Sequence, residues 1–137
     1  MGMRGPGSRS RLGLAERVAH EAAPTPWLEP GLTRPERVAA FIESLPVTKG
    51  ILAGQNMALI PSQRAFIEDI YGPTTADGRR AVRLAVLSEA RKNGKTGLVV
   101  ALALAHMVGP EAEARGEVVS AANDREQAGI ILSLIHI

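Results

Sequence analysis

Nine consecutive residues, Ser88-Glu89-Ala90-Arg91-Lys92-Asn93-Gly94-Lys95-Thr96, hold the types and spacing best suited to chemistry in this chain. They read as a phosphate-binding loop of the Walker A kind, whose pattern is G-x-x-x-x-G-K-[ST]. Such a loop points successive backbone N–H groups into a concavity at a helix N-terminus, where the dipole already favours an anion. Gly94 lets the backbone approach phosphates, and Lys95 is placed to neutralise their outer oxygens. The Thr96 hydroxyl can take one coordination position on a Mg²⁺ carried in with the nucleotide. The pattern asks for a first glycine where Glu89 stands. The plainer reading is a turn at Asn93-Gly94 with Lys95 and Thr96 as solvated neighbours.

The flanking segments favour the loop. Leu84-Ala85-Val86-Leu87 is an apolar run of strand length, and residues 97–108 are almost wholly apolar at helix length, so Gly-Lys-Thr falls at a strand-to-helix junction. Upstream, Thr33-Arg34-Pro35-Glu36 is a capping-box pattern with proline in the first turn. Val38, Phe41, Ile42 and Leu45 follow at i, i+3, i+4 and i+7, one apolar stripe of a helix ending near Pro46. Gly50 to Leu59 reads as a loop with a short strand at its end. Pro61 then suits the first turn of a second helix, which buries Phe66, Ile67, Ile70 and Tyr71 and stops at Gly72-Pro73. Val118-Val119-Ser120-Ala121-Ala122 is a second strand candidate, with Asn123 as N-cap of a helix from Asp124.

Composition bounds the class. At 137 residues with 45% hydrophobic content, the chain is one ordinary domain's worth. It has no cysteine, which excludes disulfides and thiolate zinc sites. Of its 16 basic residues, Arg4, Arg9 and Arg11 precede the first acid, Glu16, and the remaining 13 face 14 acidic residues. The body is therefore near neutral, and bulk charge gives no argument for nucleic-acid binding. No secretory segment follows the N-terminal arginines, and no apolar stretch reaches the ~20 residues that span a bilayer.

Residues 1–11 are expected to be disordered and residues 12–23 to form a short helix, with prolines then breaking it around Trp27, which should pack on the next helix. Arg79, Arg80 and Arg83 read either as phosphate contacts of a nucleic acid or as the charged entrance to a strand. The histidines His20, His106 and His136 are isolated from each other, and His106 reads as a packed or capping residue rather than a ligand.

Several blocks together resemble the start of the large terminase subunit of tailed bacteriophages. They are Leu45-Pro46 through Gly54, Ile60-Pro61-Ser62-Gln63-Arg64 with Phe66-Ile67, Arg91 to Thr96, and Ser120-Ala121-Ala122 with Arg125-Glu126-Gln127-Ala128. They run in the family's order over about residues 33 to 130. The resemblance implies an ATPase motor that drives double-stranded DNA into a capsid, with a nuclease further along the chain. It implies ATP and Mg²⁺ as cofactors, and the small terminase subunit, the portal protein and further copies of itself as partners, in the cytoplasm of a bacterial host. The family's loop commonly lacks the first glycine, which accounts for Glu89. Arg91 matches its loop arginine, which would stabilise charge on the transferred phosphoryl group. Gln63 matches its adenine-contacting glutamine, whose amide offers a donor and an acceptor together. The family usually has tryptophan where this chain has Ser62.

The nucleotide site thus expected comprises Gln63, Arg91, Lys92, Asn93, Gly94, Lys95 and Thr96, with Lys95 and Arg91 in catalytic roles and Thr96 on the metal. The fold class expected is α/β, an incomplete P-loop NTPase with a parallel sheet preceded by N-terminal helices. Residues 1–32 would be a basic arm and linker, 33–72 a helical segment with the adenine-contact motif, and 73–137 the start of the ATPase domain. No apolar run ending in Asp-Glu follows Thr96, and no nuclease carboxylate cluster is present. The chain therefore reads as the front fragment of a longer protein, inactive alone, and its pattern departs from the family's after about Ile131. Two other readings stay open: a helicase-like ATPase, and a non-catalytic chain that docks a packaging partner.

Overall fold

Helix α1, Arg34–Ser44, begins as its sequence dictates, with proline in the first turn and Glu36 reaching back to accept the Thr33 backbone N–H and hydroxyl, each at 2.7 Å. Its apolar stripe buries Val38, Phe41 and Ile42. In this computed structural model, which describes residues 25–48, 50–122 and 125–135, three further α-helices follow: α2, Pro61–Tyr71, α3, Lys95–Met107, and α4, Arg125–Ile135. The arm, the helix expected at 12–23 and the Asn123 cap lie outside the described residues.

The core is a three-helix junction. Val38 and Ile42 of α1, Ile67 of α2 and Leu98 of α3 are all but sealed from water, each burial being worth about 1.5–3 kcal/mol. A 3-10 turn, Pro26–Leu28, sets Trp27 edge-on to Phe41, with ring centroids 5.0 Å apart and planes at 82°. That is the packing expected of Trp27. After α3, the chain turns at Gly109 directly against Phe41 and Ala105. Arg34 at the start of α1 then pairs with Glu111 at 2.8 Å, tying the two ends of the bundle together.

The parallel sheet is not formed among the described residues. Neither 84–87 nor 118–122 carries a ladder, and the β-pairings among the described residues are two isolated antiparallel bridges elsewhere, Pro46 with Asn56 and Thr74 with Arg80. Leu84 and Val86 are 82% and 80% exposed. A buried parallel strand needs neighbours to take its N–H and C=O groups and a layer over each face, and no described residue supplies the ladder bonds. The short strand expected near Leu59 reduces to the single bridge at Asn56. Helix placement fared better: the apolar helix starts two residues earlier than 97, on Lys95 itself, and the last described helix starts at Arg125.

Candidate nucleotide site

The loop is shaped by two left-handed residues, Lys92 at φ 71° and Gly94 at φ 75°. Glycine adopts this conformation freely, whereas a lysine held there is strained. Turns of this kind build the N–H concavities that take anions. Gly94 caps α3, and its carbonyl accepts the Leu98 N–H at 3.0 Å as the first helical bond. The N–H groups of Lys95, Thr96 and Gly97 therefore lie in the first turn, where no helical carbonyl reaches them.

Lys95 folds back over the loop. Its ammonium donates to the carbonyl oxygens of Glu89 and, at 3.4 Å, Ala90, so it lies within the curve of 89–95. Arg91, Lys92, Asn93 and Thr96 are exposed around it. One carboxylate oxygen of Glu89 is shut off from water without a hydrogen-bond partner.

Gln63 is the one expected site residue that the fold itself has to bring. It sits in the first turn of α2, 7% exposed, the one polar or charged residue buried as a whole among those described. Its Oε1 accepts the Ile60 N–H at 3.3 Å, and its Nε2 donates to the Asn93 carbonyl at 3.3 Å. Donor meets acceptor at both ends, so the amide orientation follows from the bonding pattern. One N–H and one carbonyl lone pair remain for a further partner.

The residues fit a nucleotide with its magnesium: first-turn N–H groups, a lysine ammonium inside the loop, a threonine hydroxyl at the helix start and a buried amide alongside. Among the described residues no group of three or more His, Cys, Asp or Glu side chains gathers as a metal site. No described helix is long and apolar enough to cross a membrane.

No family model matches the chain. The large terminase subunit of Enterobacteria phage HK97 is 48% identical to it over 104 residues, which is 75% of this chain and 20% of that protein. Over that stretch the sequence belongs to the large terminase subunits of bacteriophages. The crystal structure of the HK97 large terminase agrees with it at a TM-score of 0.63 and 47% identity, again over 75% of this chain and 20% of the other. The chain thus spans about a fifth of the length of these relatives.

One cluster had no sequence signal. Tyr71 at the end of α2, His106 in the last turn of α3 and Arg80 from the intervening segment converge, with Arg34 and Glu111 beside them. His106 is packed by these partners, as its apolar setting implied. Its pairing with Tyr71 spans 35 positions, and no local spacing announces it.

Proposed function

We propose that this chain is the ATP-binding front part of a phage DNA-packaging motor, with the nucleotide seated on residues 91–96 and its adenine read by Gln63. The observation that carries this reading is the hydrogen bond from Gln63 to Asn93. It puts the amide suited to an adenine edge against the loop suited to phosphates, inside a sequence similar to a large terminase.

In this reading Gly94 and the first turn of α3 hold phosphate oxygens with backbone N–H groups, and Lys95 leaves the Glu89 and Ala90 carbonyls to meet them. The Thr96 hydroxyl would hold Mg²⁺, which would supply positive charge against the phosphates. Arg91, exposed on the same loop, would neutralise charge that develops on the transferred phosphoryl group. The parallel sheet belongs to this proposal too, its ladder to be completed by strands beyond the described residues. The whole motor would couple ATP hydrolysis to translocation of double-stranded DNA, acting with a small terminase subunit, a portal and further copies of itself in the host cytoplasm.

The test is calorimetric titration of the 137-residue chain with Mg²⁺·ATP. Binding without turnover is expected, with a loss of at least about tenfold in Lys95→Ala, one charge-assisted contact's worth. Equal affinity in wild type and variant would sink the loop assignment.

A further inference from the structure

A cleft of about 940 Å³ opens along α3, away from the phosphate loop. Its inner wall includes Arg34, Tyr71, Arg80, His106 and Glu111, and none of residues 88–97 lines it. The Tyr71 hydroxyl lies 2.9 Å from His106 Nε2, and an Arg80 terminal nitrogen lies 3.3 Å from the same atom. A guanidinium only donates, so His106 Nε2 is the acceptor and the ring proton sits on Nδ1. The Arg80 guanidinium also lies 5.6 Å from the Tyr71 ring centroid, a cation–π contact.

The charges at this inner wall do not balance. Glu111, 7% exposed, is spent on Arg34 Nε, and Arg34 Nη1 is shut off from water without a partner. Arg80 meets a neutral imidazole, the Tyr71 hydroxyl and the Tyr71 ring face, and no described carboxylate pairs with it. Two guanidiniums thus face one carboxylate. Arg83, Glu113 and Glu117 stand at the rim, exposed and solvated, and Arg79 is occupied by Asp77 at 3.2 Å. Partly buried donors without acceptors are costly, and an oxyanion is the acceptor that a guanidinium fork fits best.

We propose that this cleft binds one oxyanion, a phosphate or a carboxylate, between the free edge of the Arg80 guanidinium and that of Arg34, beside the Tyr71 ring. Both arginines line the same cleft as Tyr71 and His106. Arg34 Nη1, shut off from water and without an acceptor, is the donor that such an anion would satisfy. His106 is the reporter. Burial and then Arg80 hold its pKa below the ordinary value, Arg34 adds to this, and Glu111 and Glu113 oppose it; an anion on Arg80 relieves the repulsion and lifts that pKa.

The experiment is nitrogen-15 NMR of the imidazoles of the 137-residue chain, with His106 assigned from a His106→Gln sample, titrated separately with inorganic phosphate and with acetate. A saturable His106 shift and a rise in its pKa are expected, weakened at least tenfold in Arg80→Gln, partly kept in Arg80→Lys and unchanged in Lys95→Ala. Response to phosphate alone assigns a phosphate ligand, and response to acetate as well assigns a carboxylate such as an acidic side chain. The proposal is overturned if neither anion moves His106, if folded Arg80→Gln responds like wild type, or if Lys95→Ala abolishes the response. The last result would place the anion on the phosphate loop instead.

Discussion

Gln63 Nε2 donates to the Asn93 carbonyl at 3.3 Å, a bond that crosses 30 positions and joins the start of α2 to the turn before α3. Because Oε1 also accepts the Ile60 N–H, one buried amide both caps its own helix and props the loop. Gln63→Leu should therefore lower stability by about 1 kcal/mol, the net worth of a hydrogen bond, while weakening Mg²⁺·ATP binding. Urea midpoints and calorimetric affinities on the same samples check both. A variant with unchanged stability and unchanged affinity would mean the contact is idle.

Left-handed backbone at positions 92 and 94 makes opposite predictions for glycine. Gly94→Ala meets only Gln63 Nε2 at 3.6 Å, so its cost is conformational, about 1–2 kcal/mol. Lys92→Gly removes strain and should be neutral or stabilising by up to about 1 kcal/mol. Denaturant midpoints of the two variants should fall on opposite sides of wild type, or Lys92→Gly should match it.

Gly109 is a matter of space rather than torsion. A Cβ there would stand 2.8 Å from Ala105 Cα and 2.9 Å from Phe41 Cζ. Gly109→Ala must push helix backbone or displace Phe41, at about 1–3 kcal/mol. Trp27, the chain's one tryptophan, packs on that ring, so its fluorescence should change along with the lowered unfolding midpoint.

Acid should weaken this fold through His106. Its pKa is lowered by burial and by Arg80, so between the ordinary value of 6.5 and the depressed one the unfolded chain binds more protons than the folded chain. Stability then rises with pH across that window and is lost as pH falls from about 6.5 toward the depressed pKa. Glu36 and Asp77, held below their usual range chiefly by hydrogen bonds from Thr33 and Thr75, add a further loss at more acid pH, below their unfolded values of 4.5 and 3.8. Unfolding midpoints at pH 7.5 and 5.5 should differ in wild type and differ less in His106→Gln. An equal slope in both would remove His106 as the cause.

What the sequence determined by itself was local. The capping pattern at Thr33 and Glu36, the stripe of Val38, Phe41 and Ile42, the face of Ile67, Ile70 and Tyr71 and the turn at Gly94 all act within a few residues of one another. Their helices and loop stand where spacing put them, within a residue or two. The resemblance to large terminases was legible for the same reason, since it rests on short blocks in order. What only the tertiary structure decided is which distant groups meet: Gln63 with Asn93, Tyr71 with His106, Arg34 with Glu111. It also decided that residues 84–87 and 118–122 carry no ladder among the described residues. An apolar run states a preference for extended backbone, but a strand exists only where a second segment takes its hydrogen bonds, and that is a property of neighbours in space.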